Sequence, residues 1–240
     1  MNILVLNAGS SSIKFQLISL PSESVICYGL VERIGEVDAI LNYNTAAISI
    51  KKSLEIKNHK MGLERVTELL LDKKNGVIKN TAEIAAVGHR VVHGGNAFSN
   101  TTLITEEVKS KIKSLFKLAP LHNPANLEGI LLAEELFSEA KQIAVFDTAF
   151  HQSIPTVVRK YAIPNRFFEE EGIQAYGFHG TSHKYVSEQA INQLKKENSK
   201  IITIHLGNGC SITAVENGKS VDHSLGFTPG NGLIMGTRSG

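Results

Sequence analysis

A run of apolar strand-formers, Ile3 to Leu6, stops at Asn7-Ala-Gly-Ser-Ser-Ser12, and apolar alternation resumes with Ile13, Phe15 and Leu17. The two-residue period is that of a half-buried strand, so strands are predicted over residues 2–7 and 12–19 with a glycine turn between them. Residues 24–32 and 46–52 continue in strand style, which makes the opening an antiparallel meander. The period then changes. Leu63, Val66 and Leu70 share one helical face, predicting a helix over about residues 61–73. Residues 84–87 form a short apolar strand that runs into Gly88-His-Arg-Val-Val-His-Gly-Gly95. A basic amphipathic helix is predicted over 105–117. A second starts at Asn123-Pro124, with Asn as N-cap and Pro as first helical residue, and its stripe runs through Leu127, Ile130, Leu131 and Leu136. Residues 142–146 read as a buried strand ending at Asp147. A further helix follows Gly180-Thr181-Ser182, with Val186, Ala190 and Leu194 facing inward. Residues 201–206 and 211–216 are a second strand–turn–strand.

The two hairpins resemble each other. ILVLNAGSS and TIHLGNGCS align at an offset of 200 residues, matching Gly9 with Gly209 and Ser11 with Ser211. The pair predicts a duplicated two-lobe α/β architecture with a ligand held by the turns, and a lobe boundary near residue 150. The chain stops inside a glycine-dense loop, Thr228 to Gly240, and so reads as truncated, with the second lobe begun but incomplete.

Composition narrows the class. The 240 residues are 42% apolar, enough for a substantial core. A net charge of +2 argues against a general nucleic-acid or anionic-membrane surface. Cys27 and Cys210 are too few and too distant for a disulfide scaffold, pointing to a reducing compartment. No signal peptide and no membrane-length apolar run is read. The expectation is a soluble cytoplasmic α/β protein.

Candidate chemistry clusters at the turns. Successive N–H groups in the Asn7–Ser12 turn make an anion-binding concavity, Lys14 adds a point charge, and Asn7 offers an oxygen to a hard cation. His205-Leu-Gly-Asn-Gly209 is neither a Walker A loop nor a GxGxxG motif, yet could wrap phosphates as a hairpin. Arg90 and Arg238 each stand in a glycine frame, and arginine suits planar recognition of carboxylate or phosphate. Asp147 closes a buried strand, the edge where open α/β sheets bind ligands. His179 precedes a helix start that offers free N–H groups to an anion. The pairs His89/His93 and His179/His183 raise zinc, but no HExxH pattern is present and Gly180 argues against helical spacing.

Together LNAGSSSIKFQL, GHRVVHGG, VFDTAFH, GFHGTSHKYV, HLGNGCS and GLIMGTRSG resemble, in order, the motifs of the acetate kinase family. The resemblance covers nearly the whole chain. It implies duplicated actin-like (ribonuclease H-like) lobes with mixed sheets flanked by helices, residues 1–150 carrying the carboxylate and magnesium and residues 151–240 beginning the nucleotide-binding lobe. It implies reversible phosphoryl transfer between ATP and acetate with Mg²⁺, and a homodimer for the full-length protein. Asn7 would lie near the metal and Lys14 near the nucleotide phosphates. Arg90 would hold the acetate carboxylate, with Val92, Leu121 and Pro229 around its methyl group. Asp147, His179 and Arg238 match the catalytic set, and His205, Leu206, Gly207, Asn208 and Gly209 an ATP-binding stretch. Propionate or butyrate kinase activity and a non-catalytic actin-like nucleotide-binding module are the alternatives. Family members run to roughly 400 residues by the same resemblance.

Overall fold

The structure is a computed structural model that describes residues 1–236. The chain divides into two compact units, Met1–His93 with Thr101–Val145, and Gly94–Asn100 with Phe146 onward.

The first unit is built on an eight-stranded sheet. Strands β1 (Asn2–Ala8), β2 (Ser12–Ser19), β3 (Ser24–Glu32), β4 (Ala39–Thr45) and β5 (Ser49–Leu54) form the antiparallel meander. After helix α1 (His59–Leu70) and a single 3-10 turn, β6 (Ile84–Val91) returns parallel to β1. A parallel neighbour needs such a crossover, and the meander with α1 supplies it. Strands β7 (Thr102–Leu103) and β8 (Lys141–Phe146) complete the order β5-β4-β3-β2-β1-β6-β8-β7. Helices α2 (Glu106–Ser114) and α3 (Asn123–Leu136) lie between β7 and β8 in sequence.

Alternation sorts the sheet's faces. Leu4 and Leu6, Phe15 and Leu17, Cys27 and Val31, and Leu41 and Tyr43 point to the core, where Leu63, Val66 and Leu70 of α1 meet them. Burying each such side chain contributes about 1.5–3 kcal/mol. Gly29 is required at its place: a Cβ there would stand 2.3 Å from the Phe15 ring and 2.2 Å from the Asn42 carbonyl oxygen. The opposite face carries Val5, Asn7, Lys14, Gln16, Tyr28 and Asn42, which line an open groove of about 470 Å³.

Several elements differ from the sequence expectation. Strand β4 was not predicted, because its outward Asn42 and Asn44 give a polar composition to a segment whose other face is apolar. Strand β5 is shifted to Ser49–Leu54, and α1 starts earlier, at His59, where the Asn58 side chain accepts from the Met61 N–H at 2.9 Å. Asn123 does not cap α3; it is the first helical residue and His122 holds the N-cap position. Leu131 is 49% exposed, while Leu127, Ile130 and Ala133 form the buried face.

The second unit contains one 3-10 turn (Ala149–Ser153), the short helices α4 (Thr156–Arg159) and α5 (Arg166–Glu169), and helix α6 (Gly180–Leu194). Its sheet has the order β11-β10-β9, from β9 (Lys200–Leu206), β10 (Cys210–Glu216) and β11 (Lys219–His223). Helix α6 turns inward Gly180, His183 and Ser187, whereas Val186 and Leu194, predicted to face inward, are 46% and 62% exposed. The buried side of this helix is polar because the strands beneath it present Thr203 and Ser211 as partners for His183.

Candidate active site

In the first unit, antiparallel pairing sets Asn7 opposite Lys14, so both side chains share the outer face of the sheet. Arg90 lies on β6, one residue beyond the His89–Leu6 pair, and its Nη1 donates to Asn7 Oδ1 at 3.4 Å. An amide oxygen, an ammonium and a guanidinium thus sit at the end of three adjacent strands. His89 points the other way, into the core, with Nε2 2.8 Å from Gln142 Oε1.

Backbone clamps fix the two chain segments that carry these groups. The Gly9 N–H donates to Ser12 O at 2.8 Å, and a ring nitrogen of buried His59 lies 2.6 Å from the Gly9 carbonyl. Asn126 on α3 donates to Ala8 O at 2.7 Å and accepts from the Val92 N–H at 3.0 Å. One buried amide therefore ties the end of β1 to the end of β6. Asn123, one turn earlier, accepts from the His93 N–H at 3.0 Å and donates to its carbonyl at 2.9 Å. Gly129 lets α3 approach, since a Cβ there would stand 2.8 Å from that of Ala8. Val92 is half-buried beside this clamp, and Leu121, in the turn before α3, is 75% exposed.

In the second unit Asp147 is 1% exposed, and its backbone carbonyl accepts from the Gly180 N–H at 2.8 Å. Gly180 cannot be larger, because a Cβ would lie 2.2 Å from that carbonyl oxygen. His179 occupies the N-cap position of α6 with φ 58°, a left-handed conformation uncommon outside glycine. Its ring rests on the β9–β10 turn: a Cβ on Gly209 would be 3.0 Å from His179 Cε1. His179 Nδ1 is 2.9 Å from Ser211 Oγ, and the ring stacks on His205 with centroids 4.3 Å apart. His205 Nδ1 in turn meets Ser182 Oγ at 3.0 Å. Leu206, Gly207 and Asn208 form the exposed tip of the hairpin.

Behind this surface lies a packed imidazole cluster. His151 and His223 have centroids 4.1 Å apart, and His183 and His223 5.3 Å. Burial first, then mutual repulsion, pushes His183 down to about 3 and His223 to about 2; burial holds His151 at about 4. All three are therefore neutral hydrogen-bonding groups near pH 7. His183 reaches Thr203 Oγ1 through Nδ1 and Ser211 Oγ through Nε2, both at 2.7 Å.

Among the described residues, no three His, Cys, Asp or Glu side chains gather as a metal site. A divalent cation that keeps part of its water and shares a nucleotide's phosphates needs only one or two protein oxygens. Within the first unit the Asn7 amide is an oxygen of that kind, and the long Arg90 contact leaves it with accepting capacity. Within the second unit, taken by itself, the Asp147 carboxylate is another.

Asn7, Lys14, Arg90 and Val92 thus fall in the first unit at one end of its sheet, with Leu121 in the same unit. Asp147, His179, His205–Gly209 and Pro229 fall in the second, while Arg238 lies outside the described residues. The sequence expectation does not include Asn126 and His59, and it has Ser211 only as the counterpart of Ser11 in the second hairpin. Two asparagines three apart at the start of an apolar helix were the available signal for the first.

The family model described as the acetokinase family matches residues 2–240. The acetate kinase of Flavobacterium johnsoniae is 62% identical over 240 residues, which is all of this chain and 61% of that protein. Among solved structures, the acetate kinase of Porphyromonas gingivalis superposes with a TM-score of 0.93 at 46% identity, and a propionate kinase from Francisella tularensis with 0.94 at 48%. Each comparison covers the whole chain and 61% of the other. This chain accordingly spans about 61% of the length of the curated relatives it matches. The fold is the actin-like α/β ATPase fold of these enzymes. With nearly every residue inside the family model, the chain belongs to the acetokinase family.

Proposed function

We propose that the protein is an ATP-dependent acetate kinase that reversibly transfers the terminal phosphoryl group of ATP to acetate, giving acetyl phosphate and ADP by direct in-line displacement. Arg90 carries the reading. It is a half-buried guanidinium at the end of β6, beside Asn7 and on the face that bears Lys14. Arginine there can hold a carboxylate by two parallel hydrogen bonds. Residues 1–150 would serve the carboxylate and residues 151–240 the nucleotide, with His205–Gly209 against its phosphates.

Acetate near pH 7 is already an anion, so no residue has to take a proton from it. The obstacle is the approach of one anion to another. Arg90 offsets the charge of the acceptor, Lys14 that of the phosphates, and His179 donates to the transferring group, with Arg238 joining it by family resemblance. By the same resemblance Val92, Leu121 and Pro229 would surround the methyl group. Magnesium, when bound, supplies charge neutralisation at the phosphates. Asp147 would hold that ion rather than act as a base. Asp147→Asn should lose metal affinity together with turnover; full metal affinity with turnover alone lost would contradict this role. By the same resemblance the full-length protein is a homodimer. Free Cys27 and Cys210 support a cytoplasmic location.

The propionate kinase among the structural neighbours supports propionate as a second substrate. One methylene is worth only about 1–3 kcal/mol of discrimination. Hydroxylamine trapping of acyl phosphate by the full-length protein, with acetate, propionate and butyrate compared by kcat/KM, decides between them. Acetate should give the highest value. Nucleotide binding without trapped acyl phosphate from any of the three would instead mark a non-catalytic module.

A further inference from the structure

The second unit holds a hydrogen-bonded line that ends on His179. It runs Thr203 Oγ1 to His183 Nδ1 at 2.7 Å, His183 Nε2 to Ser211 Oγ at 2.7 Å, and Ser211 Oγ to His179 Nδ1 at 2.9 Å. Thr203, His183 and Ser211 are all buried. We infer that Thr203, His183 and Ser211 are positioning residues that hold His179 as a neutral imidazole with its proton on Nε2. The inference rests on the reading of His179 as a donor to the transferred phosphoryl group.

Proton counting sets the direction. Ser211 has one hydroxyl hydrogen and lies between two ring nitrogens, so it donates to one and accepts from the other; accepting from both would strand its own buried hydrogen. A neutral His183 also carries a single N–H. Two orders satisfy these limits. In the first, Thr203 donates to His183 Nδ1, His183 Nε2–H donates to Ser211, and Ser211 donates to His179 Nδ1. In the second every bond is reversed, and His179 must present Nδ1–H to Ser211.

The second order leaves the buried Thr203 hydroxyl hydrogen without an acceptor, because among the described residues His183 Nδ1 is the partner of Thr203 Oγ1. A buried, unsatisfied donor costs about 1–3 kcal/mol. The first order uses every hydrogen in the line. It gives His179 a bare Nδ1 facing Ser211 and an N–H at Nε2, the form that donates to a phosphoryl oxygen without carrying charge.

The surroundings fix the ring. His205 stacks on it with centroids 4.3 Å apart. His183 adjoins His151 and His223, all three kept neutral by burial, and Asp147 acts electrostatically on His151. The left-handed backbone of His179 and the missing Cβ at Gly209 hold the ring in register with Ser211.

The test uses the full-length protein with ¹⁵N-labelled histidine near neutral pH. Long-range ¹H–¹⁵N correlations, with His179 assigned through His179→Asn, should show the Nε2–H tautomer. Thr203→Val removes only the first donor of the line and touches no substrate. It should mix the tautomers of His179 and lower kcat by roughly ten- to a hundredfold, the size of effect seen when a supporting hydrogen bond is removed. Thr203→Ser should restore both readouts. An Nδ1–H tautomer or an imidazolium in the unsubstituted protein would overturn the inference, as would a Thr203→Val protein with unchanged tautomer and kcat. Full activity in His179→Asn would instead remove the phosphoryl role of His179 and leave the tautomer result standing.

Discussion

The two glycine hairpins look alike in sequence and are held by opposite means. The β1–β2 hairpin lies inside an eight-stranded sheet, and its inner face is Leu4, Leu6, Phe15 and Leu17. Its turn is fixed from behind by Asn126 and His59 on two helices. The β9–β10 hairpin belongs to a three-stranded sheet in which β9 is an edge strand, and Ile202, Ile204 and Leu206 on that strand are more than half exposed. Its inner face is Thr203, Ser211 and Thr213, met by His183, His179 and His223. Apolar burial is non-directional and tolerant of small shifts, whereas a chain of buried hydrogen bonds fixes donors and acceptors one by one. The first arrangement suits a platform for fixed charges. The second suits a group whose proton must be on a particular nitrogen.

The contrast is open to tests of decreasing size. Arg90→Ala removes the charge on the first platform and should lower kcat/KM for acetate by on the order of a hundred- to a thousandfold, read by steady-state kinetics. Asn126→Ala leaves the Ala8 carbonyl and the Val92 N–H without their buried partner. It should destabilise the protein by about 3 kcal/mol in denaturant titrations, at about 1–3 kcal/mol for each orphaned group.

The polar network behind the second hairpin should respond to acid. The folded-state values of His183 and His223, about 3 and about 2, lie below the ordinary 6.5. Their contribution is full above pH 6.5 and is lost as pH falls, because only the unfolded state takes up their protons. Between pH 6 and pH 5 each should remove up to about 1.4 kcal/mol of stability, and His183→Gln should flatten the profile. Smallest is Gly209→Ala, whose methyl would press on His179. It should lower kcat about tenfold, worth about 1.4 kcal/mol, with little change in the unfolding midpoint.

Much of this was legible in the chain. Strands β1 to β3 and β8, and the glycine turns, follow from period and turn chemistry, since one face of each strand had to be apolar. Strand β4 escaped because Asn42 and Asn44 resemble a loop until Leu41 and Tyr43 are counted separately from them. The inward face of α6 departs from the expected hydrophobic stripe because its partners are a threonine and a serine brought from β9 and β10. No local pattern could announce that pairing. The same limit applies to Asn126: its hydrogen bonds go to residues 118 and 34 positions away. Arg90 between glycines and His179 before a helix start were singled out by residue type alone, and the structure sets the first beside Asn7 and the second against Ser211 and His205.

The central claim is that a small carboxylate receives the phosphoryl group directly. Phosphorus NMR of the full-length protein with ATP, magnesium and acetate tests it most directly. Acetyl phosphate and ADP should appear in equal amounts, and only when acetate is present. ADP accompanied by inorganic phosphate, formed equally well without acetate, would contradict it.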